Sequence, residues 1–271
     1  MDGLEFLHSL GFRVKIPPLI RKQQDYLAGT DQERAFVLHQ LFLDPEVAAI
    51  MAVRGGFGSL RILPLLDMDL IRKHPKIVVG FSDITVLLSA ITGLCRMVTF
   101  HGPMLTTLAK CDADSRTALI NALTRPEPIV YQLRGLEILR GGMAKGILLG
   151  GNLTNLVHLI GTPYEISWQD AILFLEDIGE APYRLDRMLT HLAAAGRLAG
   201  LRGLILGSFT DCGDKERLWE RALELIRDQG VPVWANFPAG HGAENQVLPL
   251  GLEVEMDSNR GRLKFLESCV R

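Results

Sequence analysis

The chain has 271 residues, of which 48% are hydrophobic and 22% are charged, and its formal net charge is −2. This composition is typical of an ordinary globular protein with enough sequence for one large domain or two modest ones. The small net charge gives no electrostatic basis for binding nucleic acid or an anionic membrane.

Signals for membrane insertion, export and metal binding are also missing from the sequence. No apolar run approaches the roughly 18 residues of a spanning helix, and the N-terminus lacks the basic and apolar regions of an export signal. The four cysteines are scattered without zinc-site spacing: Cys95, Cys111, Cys212 and Cys269. We therefore expect a cytoplasmic protein with reduced thiols, no metal and no cofactor.

The first part of the chain alternates predicted helices and strands. A helix is predicted from Asp2 to Leu10, and Phe12–Lys15 alternates as a short strand does. Thr30 and Glu33 have the spacing of a capping box at the start of the next helix. The apolar run Val47–Val53 then predicts a buried central strand. Such alternation indicates an α/β fold with a doubly wound, mostly parallel sheet.

A glycine-rich loop, Arg54-Gly55-Gly56-Phe57-Gly58, follows that strand. Glycines at the end of a strand let a ligand approach backbone N–H groups closely. The spacing is neither G-x-G-x-x-G nor a Walker A loop, which argues against a dinucleotide-dependent oxidoreductase. The loop is either a tight structural turn or part of an oxyanion or substrate site.

The stretch from Lys76 to Ile91 predicts a strand, a sharp turn at Ser82 and a helix. A serine in that position has the geometry of a nucleophile elbow, although Ile84 replaces the second glycine of G-x-S-x-G. The alternative is that Ser82 or Asp83 only caps the following helix.

A strand over Met97–Phe100 leads to His101, which is either a base or a structural residue before Gly-Pro. The polar, Pro- and Gly-punctuated segment 113–145 predicts a linker. We therefore divide the chain into an N-terminal α/β domain (1–112) and a C-terminal mixed α/β domain (146–271).

Two further candidates lie in the second half. The apolar strand Ala171–Leu175 stops at Glu176, the first of three nearby carboxylates that are costly to bury unless used or paired. His241 lies between two glycines on a loop. Ser82, Glu176 and His241 could form a nucleophile, acid and base, because a triad is defined by geometry and not by chain order. His101 stays open as the other base.

Six motifs together resemble one known family over nearly the whole chain. They are Arg54–Gly58, Gly80–Thr85, His101–Pro103, Gly150–Leu153, Leu175–Met188 and the pair Gly240-His241 with Leu248–Gly251. In this order they are similar to the LD-carboxypeptidases, which comprise the muramoyltetrapeptide carboxypeptidases and the related microcin C immunity peptidases.

The resemblance implies a homodimeric serine peptidase that removes terminal D-alanine from murein tetrapeptide. Since Ser82 falls in the first domain and Glu176 and His241 in the second, we expect the site between the two domains. Ser82 would be the nucleophile, Glu176 the orienting acid and His241 the general base, and His101 would be structural. The backbone N–H groups of Asp83 and Gly56 would form the oxyanion hole. Arg54 is a candidate for binding the substrate's free carboxylate, because an arginine fork suits that group. A structural ion pair would explain Arg54 equally well.

One departure from the family and two alternatives accompany this prediction. Family members usually have a further strand before the helix that begins at Asp2. We therefore expect a sheet with one strand fewer and an unpaired edge. A peptidase acting on peptidyl- or aminoacyl-nucleotide antibiotics is the alternative enzyme. A non-catalytic ligand-binding homologue is the alternative from another class of protein.

Overall fold

The structure is a computed structural model that describes residues 2–133 and 135–270. Its α-helices are α1 (Gly3–Ser9), α2 (Asp31–Leu43), α3 (Ser59–Ile62), α4 (Met68–Lys73), α5 (Thr85–Cys95), α6 (Leu105–Leu108), α7 (Ala113–Thr124), α8 (Leu153–Val157), α9 (Pro182–Ala194) and α10 (Lys215–Leu225). Its strands are β1 (Ala49–Met51), β2 (Ile77–Gly80), β3 (Thr99–His101), β4 (Val130–Gln132), β5 (Glu137–Arg140), β6 (Met143–Asn152), β7 (Ala171–Ile178), β8 (Gly203–Thr210), β9 (Val233–Ala235), β10 (Leu248–Leu250), β11 (Glu253–Asp257) and β12 (Arg262–Phe265).

These strands form two sheets. The first has the order β1-β2-β3-β10, in which β1, β2 and β3 are parallel and β10 pairs antiparallel with β3. The second has the order β4-β12-β11-β6-β7-β8-β9-β5, with a parallel centre from β6 to β9. Helices separate the parallel strands, so the predicted α/β fold with a mostly parallel first sheet and a mixed second sheet is confirmed.

Strand β7 is buried on both faces, which explains its continuous apolar sequence. Leu173 and Leu175 pack against the hydrophobic cluster that contains residues of α9 and α10. Ile172 and Phe174 face a different cluster, which also includes Val78, Leu88 and Ile91 from the N-terminal part of the chain. Because side chains alternate along a strand, the next residue in the second series is Glu176. The two sheets therefore share a core on the side of β7 from which Glu176 projects.

Chain order and spatial order diverge in the second half. Strand β10 returns to the first sheet, while β4 and β5, which lie within segment 113–145, pair at opposite edges of the second sheet. Strand β8 carries a bulge relative to β7, because Leu175 pairs with Leu206 whereas Asp177 pairs with Phe209. Bulges are common beside active sites, where they re-aim side chains, and this one lies opposite Glu176.

The predicted capping box of Thr30 and Glu33 is confirmed at the start of α2. The predicted strand at residues 12–15 is wrong, because this segment has no strand partner among the described residues and Phe12 is 37% exposed. Alternation alone does not make a strand where no neighbouring strand supplies hydrogen bonds. None of the described helices is both long and apolar enough to cross a membrane.

Candidate active site

Ser82 occupies a strained turn between β2 and α5. Phe81 is extended, with φ −158° and ψ −172°, and Ser82 then has a φ of +63° at the start of a short 3₁₀ turn that leads into the helix. A positive φ is uncommon for a residue with a Cβ, and such strain is concentrated at functional sites. The turn therefore has the backbone geometry of a nucleophile elbow.

Two glycines make this tight turn sterically possible. A Cβ on Gly55 would lie 2.8 Å from Ser82 Cβ and 2.9 Å from Ser82 Oγ. A Cβ on Gly80 would lie 2.6 Å from Ile84 Cγ2. Gly80 therefore makes room for Ile84, the residue that replaces the second glycine of the usual motif, and Gly55 places the glycine-rich loop directly against the serine.

Asp83 fastens the elbow to that loop. Its buried carboxylate accepts hydrogen bonds from the N–H (2.9 Å) and the Oγ (2.7 Å) of Ser59, the first residue of α3. Neither Ser82 nor Asp83 caps α5 through its side chain, because the helix has no side-chain cap. The alternative in which these residues only cap the following helix is therefore wrong.

Glu176 and His241 form a hydrogen-bonded pair. Glu176 Oε2 lies 2.6 Å from His241 Nδ1, the carboxylate is fully buried, and the imidazole side chain is 13% exposed. Burial raises the pKa of Glu176 above its ordinary value, while the hydrogen bond from His241 opposes that shift. Such a pair fixes the orientation of the imidazole and stabilises it once it is protonated.

Glycines on both sides of His241 let its loop pass close to other chain segments. Gly240 has a φ of +115°, and a Cβ there would lie 2.7 Å from Glu176 Oε2. Its N–H donates to Oδ1 of the buried Asn245 at 3.0 Å. A Cβ on Gly242 would lie 2.7 Å from Oγ of Ser208, a residue of the β8 bulge. The loop that carries His241 is therefore held in place by close contacts on both sides of the histidine.

Phe81 brings the pair and the elbow together. Its ring centroid lies 4.7 Å from that of His241, and Phe81 is bonded directly to Ser82. Among the described residues no hydrogen bond joins Ser82 to His241. Catalytic hydrogen bonds are often long in unliganded enzymes and tighten when substrate binds. The structure thus brings Ser82, Glu176 and His241 into one place from three distant parts of the chain.

His101 lies in the core beside Phe81. It is fully buried, with its ring in edge contact with Phe81 (5.7 Å) and Phe174 (5.0 Å), and neither ring nitrogen has a partner among the described residues. Burial lowers its pKa to about 3, with the nearby His241 adding to the effect. Because this imidazole is fully buried and has no solvent contact, the position of His101 fits the structural role.

The three carboxylates near the end of β7 have different partners. Glu176 pairs with His241, and Glu180 forms a surface ion pair with Arg184 at 3.6 Å. Asp177 is 2% exposed and accepts hydrogen bonds from Asn152 Nδ2 (3.0 Å) and from the N–H and Oγ1 of Thr154 (2.9 and 2.8 Å). Each carboxylate is thus used or paired, as burial requires.

Asn152, to which the sequence analysis assigned no role, links the helix after Ser82 to the end of β7. Its N–H donates to Thr85 Oγ1 at 3.1 Å, and Thr85 is the first residue of the helix that follows Ser82. Its side chain joins Asp177, the neighbour of Glu176. A Cβ on Gly151 would lie 2.6 Å from Thr85 Cγ2, so the glycine before Asn152 is what permits this approach. The signals in the sequence were that Gly-Gly-Asn follows an apolar strand and that Gly150–Leu153 is one of the six motifs shared with the family.

The groups predicted to bind the oxyanion and the substrate carboxylate lie on the turn that contains Ser82 and on the glycine-rich loop 54–58. The N–H of Asp83 belongs to the first turn after the elbow, where N–H groups have no intrahelical partner. Gly56 has a φ of +140° and follows the glycine that touches Ser82. Arg54 is exposed and forms no ion pair with any residue that the structure describes. A structural ion pair therefore does not explain Arg54 here.

None of the cysteines resembles a nucleophile. Burial raises the pKa of all four thiols, so that their reactive thiolate forms are disfavoured. All four are free thiols.

The structure places a serine turn with a positive φ, a neighbouring phenylalanine in contact with His241, and a buried Glu176–His241 pair in one region of an α/β fold, as in an α/β serine peptidase. Models of the two LD-carboxypeptidase domains match this chain, the N-terminal domain over residues 1–102 and the C-terminal domain over residues 145–256. The chain belongs to the LD-carboxypeptidase family, and it is a serine-type LD-carboxypeptidase.

Individual relatives agree with this assignment. The chain is 40% identical over 265 residues to a probable murein peptide carboxypeptidase of Bacillus subtilis, covering 94% of this chain and 83% of that protein. The crystal structure of muramoyltetrapeptide carboxypeptidase from Oxalobacter formigenes is 30% identical with a TM-score of 0.83, covering 97% of this chain and 91% of that one. MccF in complex with glutamyl sulfamoyl guanosine is 27% identical with a TM-score of 0.93, covering 100% and 91%.

Proposed function

We propose that this protein hydrolyses the amide between an L-configured diamino-acid centre and terminal D-alanine in murein tetrapeptide, with Ser82, Glu176 and His241 as a catalytic triad. The observation that carries the proposal is the 2.6 Å contact between Glu176 and His241 beside a serine held at a φ of +63°. The names of the murein and muramoyltetrapeptide carboxypeptidases support the substrate class.

In the first step His241 acts as a base toward Ser82. Its Nδ1–H donates to the Glu176 carboxylate, which leaves Nε2 free to accept the proton of Ser82 Oγ as this oxygen attacks the scissile carbonyl carbon. The C–N bond then breaks, and Nε2 gives the proton to the amine of departing D-alanine. Water activated by the same nitrogen hydrolyses the acyl ester, which releases the tripeptide and regenerates Ser82.

Backbone and guanidinium groups bind the charges of the substrate in this scheme. The N–H groups of Asp83 and Gly56 stabilise the oxyanion that develops on the carbonyl oxygen. Arg54 binds the free carboxylate of D-alanine, because its guanidinium has no ion-pair partner among the described residues and lies beside Gly56. We place the reaction in the cytoplasmic recycling of murein peptides and assign it to a homodimer, as the family resemblance implies.

Cleavage of an aminoacyl-nucleotide amide is the second candidate. The high TM-score with the glutamyl sulfamoyl guanosine complex of MccF favours it. Sequence identity favours the murein substrate, at 40% and 30% for the murein-type relatives against 27% for that structure. The same triad would serve either substrate, so the two candidates differ only in what surrounds the scissile bond.

The test is release of D-alanine from murein tetrapeptide by the wild-type protein and by Ser82→Ala. Release that disappears in the variant supports both the substrate and the nucleophile. Release that persists in the variant refutes Ser82 as nucleophile. If wild-type protein cleaves only glutamyl sulfamoyl guanosine, the second candidate replaces the first. If no substrate is cleaved and no serine-directed fluorophosphonate reacts, the protein is a binding homologue.

A further inference from the structure

Two aromatic rings are exposed together beside the candidate active site. Tyr26 is 70% exposed and Phe57 is 62% exposed, and their centroids lie 5.7 Å apart in an edge-on contact at 62°. An exposed pair of large rings buries little apolar area in the free protein, so its contribution to folding is small. Such a pair is more useful for contact with a ligand.

The glycine-rich loop holds Phe57 near the nucleophile. Gly55 is packed against Ser82, and Ser59 is hydrogen-bonded to Asp83, so the loop is fastened to the elbow on both sides of Phe57. Two residues of backbone span at most about 7 Å. The Cα of Phe57 can therefore lie no further than about 7 Å from that of Gly55.

A second loop brings Tyr26 to the same place. The turn around it is closed by a backbone bridge between Gln24 and Leu27, and a Cβ on Gly58 would lie 2.8 Å from Leu27 Cδ2. Arg34 Nη1 also donates to the carbonyl of Gly58 at 3.1 Å. The two loops thus form one lip, defined by Tyr26 and Phe57, beside Ser82.

We propose that this lip binds the pyranose ring of the muramoyl group and so determines a preference for muramoyl-tetrapeptide over the free peptide. This inference rests on the proposed function. The methyl group of D-alanine is too small to cover two rings. A sugar ring presents partly positive C–H bonds to the negative faces of aromatic rings, which is a favourable contact.

The length of the peptide between the muramoyl group and the scissile bond is compatible with a sugar ring on the lip. Three peptide residues separate the muramoyl group from the scissile bond, and in an extended chain they span about 10 Å. Phe57 can extend from Gly55, the residue that contacts Ser82, by at most about 7 Å of backbone plus the length of its side chain, which is within the span of that peptide. A muramoyl ring can therefore lie on the lip while the scissile carbonyl lies at Ser82.

The test compares two substrates with the variant Tyr26→Leu/Phe57→Leu, which keeps apolar side chains but removes both rings. We expect KM for muramoyl-tetrapeptide to rise about tenfold, and KM for free tetrapeptide to change less than twofold. The value of kcat should stay unchanged, because the lip does not touch the reacting atoms. Phe36→Leu is the matched control, since Phe36 is 57% exposed on α2 and should alter neither KM.

A second readout does not depend on turnover. It compares the binding of muramoyl-tetrapeptide and of free tetrapeptide to the Ser82→Ala protein, with and without the two leucine substitutions. Equal KM changes for both substrates, or no change for either, overturn the proposal. A loss of binding confined to glutamyl sulfamoyl guanosine assigns the lip to a nucleobase and also overturns the proposal. Failure of the proposed function is distinguishable, because wild-type protein would then release no D-alanine from either murein substrate.

Discussion

Replacing Gly55 by alanine tests the spatial relation between the glycine-rich loop and Ser82. The new Cβ would lie 2.8 Å from Ser82 Cβ and 2.9 Å from Ser82 Oγ. Carbon atoms in contact are normally about 3.5 to 4.0 Å apart, so the serine or the loop must move by roughly 1 Å. A misplacement of about 1 Å in a catalytic group can cost about 10²-fold in rate, which corresponds to about 2.7 kcal/mol of transition-state stabilisation.

We therefore expect Gly55→Ala to lower kcat for D-alanine release by about two orders of magnitude, while the protein stays folded. The assay is steady-state release of D-alanine, together with the rate of labelling by a fluorophosphonate and a thermal unfolding curve. Gly141→Ala is the matched control, because a Cβ at Gly141 meets no atom within 4 Å and the backbone there is not left-handed. A kcat for Gly55→Ala within threefold of wild type, with normal labelling, would refute the placement of this loop against Ser82 as the nucleophile we propose.

Three further predictions concern the groups around the elbow. Glu176→Gln should lower kcat by about 10³- to 10⁴-fold with little change in KM, because an amide no longer holds His241 as the carboxylate does; a loss below tenfold in steady-state assays would contradict the triad. His101 has a pKa of about 3 when folded and an ordinary value near 6.5 when unfolded, so the unfolded state binds the extra proton as pH falls from about 6.5 toward 3. His101 should therefore lower the free energy of unfolding by up to about 1.4 kcal/mol for each pH unit in that window. Urea unfolding should show that the free energy of unfolding of His101→Phe falls less steeply with pH than that of wild type, and parallel pH profiles of the two proteins would disprove the assignment. Asp177→Ala should lower the free energy of unfolding by about 2 to 4 kcal/mol, because it leaves Asn152 and Thr154 without their buried acceptor. Asp186→Ala, which removes an exposed ion pair, should lower it by less than about 1 kcal/mol, and equal losses in urea unfolding would contradict this account.

Much of the local structure of the candidate site could be predicted from short stretches of sequence. The strand, the glycine and the following helix around Ser82 are all encoded within about ten residues, because backbone sterics and side-chain periodicity act over that range. The buried carboxylate of Glu176 could likewise be anticipated from an apolar strand that ends in an acid. Even so, alternation at residues 12–15 predicted a strand where the structure has none, since a strand also needs a partner.

The meeting of distant strand ends could not be predicted from local pattern. Glu176 and His241 are separated by 65 residues, and their contact depends on the β8 bulge and on two glycines beside the histidine. Phe81 and Phe174 pack around His101 because the two sheets share one core, and β10 returns to the first sheet for the same reason. The sequence by itself determined which residue types carry the chemistry and the local turns that hold them. Only the tertiary structure decided which of them meet, because that depends on the burial of apolar faces that lie far apart in the chain.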